Sequence, residues 1–276
     1  MSEALSFLAP AFAMCVVIAA LHVYLGMHIL EREVIFVDLS LAQLAALGAA
    51  VAEVFGIEGD WRVRAASLAF TVAGAAVFAL TRRARRHVSQ EAIVGIVYAL
   101  SSALMVVALS HSPHGGEEIK DILAGSLLVT TWEQVRFTGL AYLVLGAIQL
   151  LLARRFVQIS WQLDQAERSM QRLALWDFAF YVLFGIAITI SVQVAGVLLV
   201  FSYLIVPAVI TRLFGKRIGV RLLLGWGVAL LASVLGLWGS WAWDLPTGAA
   251  VVAAFGVLLV VAGGIAAISL RGRALG

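Results

Sequence analysis

Charge is scarce in this chain. Only 13% of its 276 residues are Asp, Glu, Lys or Arg, and 63% are hydrophobic. A soluble domain carries about 25% charged residues, so a water-soluble fold of this composition would have too little polar surface to cover its core. Cysteine is scarcer still. Cys15 stands alone in an apolar stretch, which excludes an intrachain disulfide and suits a small packing hydrophobe. Several motifs that carry chemistry are also missing. No Gly-x-x-x-x-Gly-Lys-Ser/Thr phosphate loop occurs in these residues, so any ATP hydrolysis belongs to a separate subunit. Neither a His-Glu-x-x-His pair nor a Gly-x-Ser-x-Gly elbow is present, and the chain is not expected to be an enzyme. Internal repeats and low-complexity segments are absent too. One polytopic membrane domain over 1–276 is expected.

Long apolar runs fill the chain instead. They lie near 5–28, 34–55, 65–81, 92–110, 137–153, 175–192, 194–211, 220–241 and 247–269. A membrane helix needs about 20 apolar residues, so these runs predict about nine spanning helices. They are too long for barrel strands, and lipid leaves backbone polar groups no partner outside a helix. The first run, Leu5 to Met27, is longer than the core of a cleaved leader and lacks a basic segment before it, so it is expected to be a span. From Phe178 to Thr211 the chain runs 34 residues without a charge, enough for two helices and a tight turn.

The basic residues alternate between loops. One set holds Arg32, Arg82, Arg83, Arg85, Arg86, Arg154, Arg155, Arg168, Arg172, Arg212, Lys216, Arg217, Arg221, Arg271 and Arg273, which is 15 of the 19 Lys and Arg. The other set holds Arg62, Arg64, Lys120 and Arg136. The positive-inside rule places the richer set in the cytoplasm, with the N-terminus outside and the C-terminus inside. The Arg82–Arg86 cluster beside a span is then a topology determinant, and no nucleic-acid partner is expected.

The segment 154–174 differs from the other loops. Ile159, Leu163, Ala166, Met170 and Leu173 recur at helical spacing, with Asp164, Gln165, Glu167, Arg168, Gln171 and Arg172 opposite them. This predicts an amphipathic helix of about four turns. Two roles are open to it, resting on the lipid interface or docking in a groove of a partner.

Five ordered elements resemble the metal-ion (zinc/manganese/iron) ABC transporter permeases. They are 34–48 around Asp38, 91–98 (Glu91-Ala-Ile-Val-Gly-Ile-Val-Tyr), 121–128 with its Leu-x-Gly-x-Leu, 193–208 with Gly196, Leu198-Leu199-Val200 and Pro207-Ala208, and Asp244-Leu-Pro-Thr-Gly248. The resemblance implies an all-α, type II ABC importer-like permease in a bacterial or archaeal inner membrane. It also implies a second copy of the chain, cytoplasmic ABC ATPase subunits, an extracytoplasmic metal-binding protein and alternating access at the dimer interface. The 154–174 helix would then be the coupling helix to the ATPase, through Asp164, Ala166, Glu167, Arg168 and Met170. Gly196 and Pro207 would serve gating and packing. The element 121–128 is expected as a short helix dipping into the outer leaflet.

Ionisable groups inside spans are costly and point to function. Asp38 matches the metal-binding Asp of the family's Asp-x-x-x-His segment, but Ala42 stands where the His is expected, followed by Gln43. A replacement is available on the preceding run. Counted from the turn near Arg32, His22 and Asp38 lie about 6 Å apart in depth if their helices are antiparallel neighbours. Imidazole and carboxylate suit Zn²⁺ or another first-row divalent ion. The expectation is that Asp38, His22 and Gln43 line the path of a transported metal, zinc first and manganese second, with no permanently bound cofactor. The competing reading has His22 bonded to a backbone carbonyl and Asp38 capping or pairing near the helix end. His28 is expected at the interface.

The loop Ser110 to Glu118, with His111, His114, Glu117 and Glu118, has ligand types for metal capture, though a solvated loop is its default reading. Rival functions are a permease for a metal chelate or vitamin, an ion-coupled secondary carrier and a membrane scaffold. The first would want a wide greasy path without Asp38, and the second often shows inverted repeats.

Overall fold

A computed structural model describes residues 2–57, 59–81, 88–110, 125, 127–162, 173–215 and 217–274. The helices are α1 (Ser2–Arg32), α2 (Val37–Val54), α3 (Asp60–Thr81), α4 (Gln90–Leu109), α5 (Trp132–Leu151), α6 (Ala153–Trp161), α7 (Leu173–Ala195), α8 (Val197–Phe214), α9 (Ile218–Trp243) and α10 (Thr247–Ala274), with a 3₁₀ turn at Leu127–Val129. Among the described residues, nine helices are long and apolar enough to cross a membrane, each on one of the apolar runs, and no strand occurs. The all-α polytopic class read from run length is the observed one. Of the α-helices among the described residues, α6 alone is too short to cross.

Local chemistry sets the ends. Ser89 caps α4, its side chain accepting the Ala92 N–H at 3.2 Å, as short hydroxyl side chains do at helix starts. Gly196 divides the long uncharged run into α7 and α8. Its φ of 76° and ψ of 160° belong to a region that essentially only glycine occupies.

The chain forms two compact units whose segments interleave along the sequence: Met1–Leu30, Ala124–Leu140 and Val194–Gly276 in the first, Glu31–Leu123 and Ala141–Gln193 in the second. In the first unit α8, α9 and α10 pack against one another. Gly26 brings α1 onto the backbone of α8 at Leu204, and Gly236 brings α9 onto Val251 of α10. Tyr203 of α8 stands edge-on to Phe255 of α10 and shares a hydrogen bond with Ser233 of α9. Cys15 is fully buried beside that hydroxyl pair, as a packing residue should be. The Trp226 Nε1–H donates to the Ala20 carbonyl of α1 at 3.3 Å. His28, expected at the interface, is completely buried with Tyr24 edge-on at 4.6 Å. The aromatic neighbour one turn earlier supplies the packing partner.

In the second unit α2 packs on α3 and α4 and is buried along most of its length. Small residues allow this: Gly48 sits on the backbone of Ala66 and Ser67. The hydroxyls of Thr71 on α3 and Thr189 on α7 share a 3.1 Å hydrogen bond. At one end of the unit Gln90 donates both to the Phe78 carbonyl and to the Tyr181 hydroxyl. The end of α3 and the starts of α4 and α7 therefore meet there, which is the side-to-side alternation expected from the basic residues.

The expected amphipathic helix over 154–174 is described only as far as Gln162 and again from Leu173. It is helical as α6 and stops at Gln162, whose φ of −133° and ψ of 51° leave the helical region. The proposed ATPase-contact residues Asp164, Ala166, Glu167, Arg168 and Met170 lie outside the described residues, as do His111, His114, Glu117, Glu118 and the Arg82–Arg86 cluster.

Candidate functional site

The five elements singled out in the sequence gather in two places, one in each unit. In the second unit, 34–48 meets 91–98. Glu91 at the head of α4 accepts the Phe36 N–H at 3.3 Å, two residues before Asp38. Asp38 sits in the first turn of α2 with 2% of its surface exposed, and its Oδ1 has no hydrogen-bond partner. The Oε2 of Glu91 is likewise buried without a partner. A carboxylate oxygen held in an apolar surrounding without a donor is costly unless a proton or a cation meets it.

Gln43 is also on α2, 3% exposed, with Oε1 unpaired. Five residues of helix turn Gln43 about 140° away from Asp38 and about 7.5 Å further along the axis. The two are successive polar stations rather than one clamp. Ala42 occupies the face above Asp38, so that face offers no second ligand.

His22 lies on α1 in the first unit, fully buried, with Nδ1 donating to the Ile18 carbonyl at 3.1 Å. That bond fixes the proton on Nδ1. The same arrangement orients imidazoles at metal sites, and it is also the backbone bond of the competing reading. Within either unit, no three His, Cys, Asp or Glu side chains gather as a ready-made metal cluster among the described residues.

The other three elements meet in the first unit. Gly125, with φ 67°, lies against the peptide bond joining Ala195 to Gly196. Beside it opens a cavity of about 480 Å³ lined among others by Leu127, Leu198, Leu199, Pro246 and Thr247. Of the short helix expected at 121–128, residues 121–124 and 126 lie outside the described residues, and Leu127–Val129 forms a 3₁₀ turn. Pro207 is buried inside α8, where its missing N–H leaves the Tyr203 carbonyl without its usual helical donor; Gly225 of α9 faces it together with Val23 of α1.

One polar cluster escaped sequence reasoning. Arg32 at the end of α1 donates from Nε to Ser160 Oγ of α6 and from Nη1 to Asp177 Oδ1 of α7, each at 2.9 Å. Its guanidinium lies 3.8 Å from the centre of the Phe180 ring. Arg32 and Asp177 are 6% and 0% exposed. The available signal was Asp177 itself, the last charge before the 34-residue uncharged run.

A bundle of long apolar helices with buried, unpaired carboxylate oxygens defines a polytopic membrane protein with a polar site in its interior. The model of the ABC 3 transport family matches residues 4–265, and the chain belongs to that family. The manganese transport system membrane protein MntC of Listeria monocytogenes is 21% identical over 257 residues, covering 93% of this chain and 90% of that protein. A protein of Chlamydia trachomatis named "Probable metal transport system membrane protein" is 22% identical over 184 residues, covering 67% of this chain but only 60% of the relative. The fold is shared with the structure of PsaBC from Streptococcus pneumoniae in complex with Fab, with a TM-score of 0.77 at 16% identity, over 94% of this chain and 93% of that one.

Proposed function

We propose that this chain is the membrane-spanning subunit of an ATP-driven importer for a divalent transition metal. The observation that carries the reading is Asp38, a buried carboxylate with an unpaired oxygen at the head of a helix enclosed by its neighbours, in a chain of a transport family whose relatives are named for metal transport. Asp38 takes the first metal contact on the path and Gln43 offers an oxygen further along α2, while His22 on α1 is kept as a candidate on its residue type alone. Oxygen donors on α2 favour Mn²⁺, and MntC is named for manganese, so manganese now stands ahead of zinc. The metal is cargo, and no resident cofactor is assigned.

The remaining parts of the reading follow from the family and from charge. Two copies of the chain form the pathway at their interface, in bacterial or archaeal inner-membrane lipid. Partner ATPase subunits sit on the Arg-rich side, which is the cytoplasm, with the N-terminus outside and the C-terminus inside. An external metal-binding protein delivers the ion. ATP binding drives the two packing states of alternating access; contact runs through Asp164 to Met170, with Gly196 and Pro207 shaping the gate.

The test is uptake of ⁵⁴Mn²⁺ and ⁶⁵Zn²⁺ by proteoliposomes holding the chain and its ATPase, with external ATP on the cytoplasmic face. ATP-dependent uptake of one metal, lost in Asp38→Asn at equal incorporation, is expected. Wild-type vesicles that move neither metal would overturn the reading.

A further inference from the structure

We infer that Arg32 is the tie through which α6 and the start of α7 set the position of the head of α2, and so a positioning residue for transport. The inference rests on the transport reading above and concerns how motion reaches Asp38, not which metal binds.

The geometry is a fork. One guanidinium holds two elements that the sequence keeps apart: Ser160 on the last turn of α6 and Asp177 on the first turns of α7. In sequence these residues flank Asp164 to Met170, the stretch expected to meet the ATPase. Aromatic packing reinforces the fork. Phe156 of α6 stands edge-on to Phe180 of α7 at 5.4 Å, and Arg32 lies over the same Phe180 ring. A displacement of α6 therefore moves the ring and the guanidinium together.

The lever from Arg32 to Asp38 is short and braced. Only five residues separate them. Glu33 begins the turn at φ 58°, a conformation with little freedom for a side chain of its kind. Phe36 ends the turn with its N–H bound to Glu91, and Val37 N–H is bound to the Val34 carbonyl at 3.2 Å. A turn fixed at both ends transmits a shift of Arg32 rather than absorbing it.

A buried ion pair is a weak stabiliser compared with apolar packing, though it constrains geometry closely. The planar fork is also something lysine cannot reproduce. Arg32 Nη2 is buried and unpaired, so the guanidinium keeps one donor in reserve for a second arrangement.

The experiment is metal uptake per ATP hydrolysed in proteoliposomes of the complete transporter, with ⁵⁴Mn²⁺ and ⁶⁵Zn²⁺ as probes. The first variant is the double change Arg32→Met with Asp177→Leu, which removes both charges and strands neither. Uptake per ATP is expected to fall about tenfold or more, up to the ~100-fold that a misplaced group can cost, while ATP hydrolysis continues. Coupling equal to wild type in the double variant would overturn the tie, and so would a parallel loss of uptake and hydrolysis. Should the double variant fail to fold, Arg32→Lys keeps the charge and reaches one partner only; intact coupling there overturns the tie equally. Wild-type transporter that moves neither metal would instead sink the transport reading, an outcome seen before any variant is made.

Discussion

Gly26 of α1 lies directly on the main-chain carbonyl of Leu204 of α8, so close that a Cβ would overlap that oxygen. Backbone has no rotamer to give. Gly26→Ala is expected to lose about 3 kcal/mol, the upper end of overpacking costs. Gly227, also inside a helix, faces nothing within 4 Å, and Gly227→Ala is expected to be neutral or to gain up to about 1 kcal/mol from helix propensity. Thermal unfolding of the two purified variants in detergent checks the contrast.

Asp38→Asn is expected to separate stability from function. The amide leaves the shape in place and removes a charge whose Oδ1 has no donor. The variant without metal should be within about 1 kcal/mol of wild type, because the amide replaces a buried carboxyl of the same shape. Mn²⁺ at one hundred times its Kd should stabilise the wild type by about 2.7 kcal/mol, reversibly with chelator, and should leave Asp38→Asn unmoved. A metal-dependent shift of equal size in both proteins would place the ion elsewhere.

Glu91→Ala removes the acceptor for the Phe36 N–H. The loss of this one hydrogen bond is expected to cost about 1 kcal/mol, with Glu91→Gln retaining most of the stability. Amide hydrogen exchange at Phe36 reports it: faster exchange in Glu91→Ala alone is the expected pattern, and equal rates in all three proteins contradict it.

Gly196→Ala and Gly125→Ala both force a side chain onto a positive-φ backbone. Each is expected to cost about 1–3 kcal/mol from that strain. Gly125→Ala should be the worse of the two, since its Cβ also meets the Ala195–Gly196 peptide. The yield of folded, monodisperse protein is the readout.

Tyr203→Phe should cost only about 1 kcal/mol, despite complete burial. Its partner Ser233 also donates to the Ala229 carbonyl at 2.7 Å, so no polar atom is orphaned on the serine. A loss several times larger in thermal unfolding would show that the hydroxyl anchors more than this pair.

The spanning helices were legible because lipid permits few alternatives: a run as apolar as 34–55 has one way to satisfy its backbone. The break at Gly196 was legible for the same reason, since 34 uncharged residues exceed one crossing. What was hidden depends on contacts between distant residues. Arg32 reads as a topology marker until Asp177, 145 positions later, is seen beside it. His28 reads as interfacial from its place in the run, while its burial with Tyr24 edge-on is a property of the packed helices. The stop at Gln162 is invisible to periodicity, because Ile159 and Leu163 keep helical spacing across it. Asp38 stood out early, but its unpaired oxygen is a property of the packed helix and not of the residue.

The enclosure of α2 bears on how such chains diverge. In α2, 61% of the spanning window is buried within the chain, against 22% in α4 and in α10. A residue on α2 has neighbours on most sides, so a change there must be matched by changes in α3 or α4. Much of α4 and α10 is left unburied by the described residues and need only stay apolar, which many substitutions allow. Drift should therefore run fast on those two helices and slowly on α2. A fold can in this way persist at 16% identity, with most of the change carried by helices that few neighbours constrain.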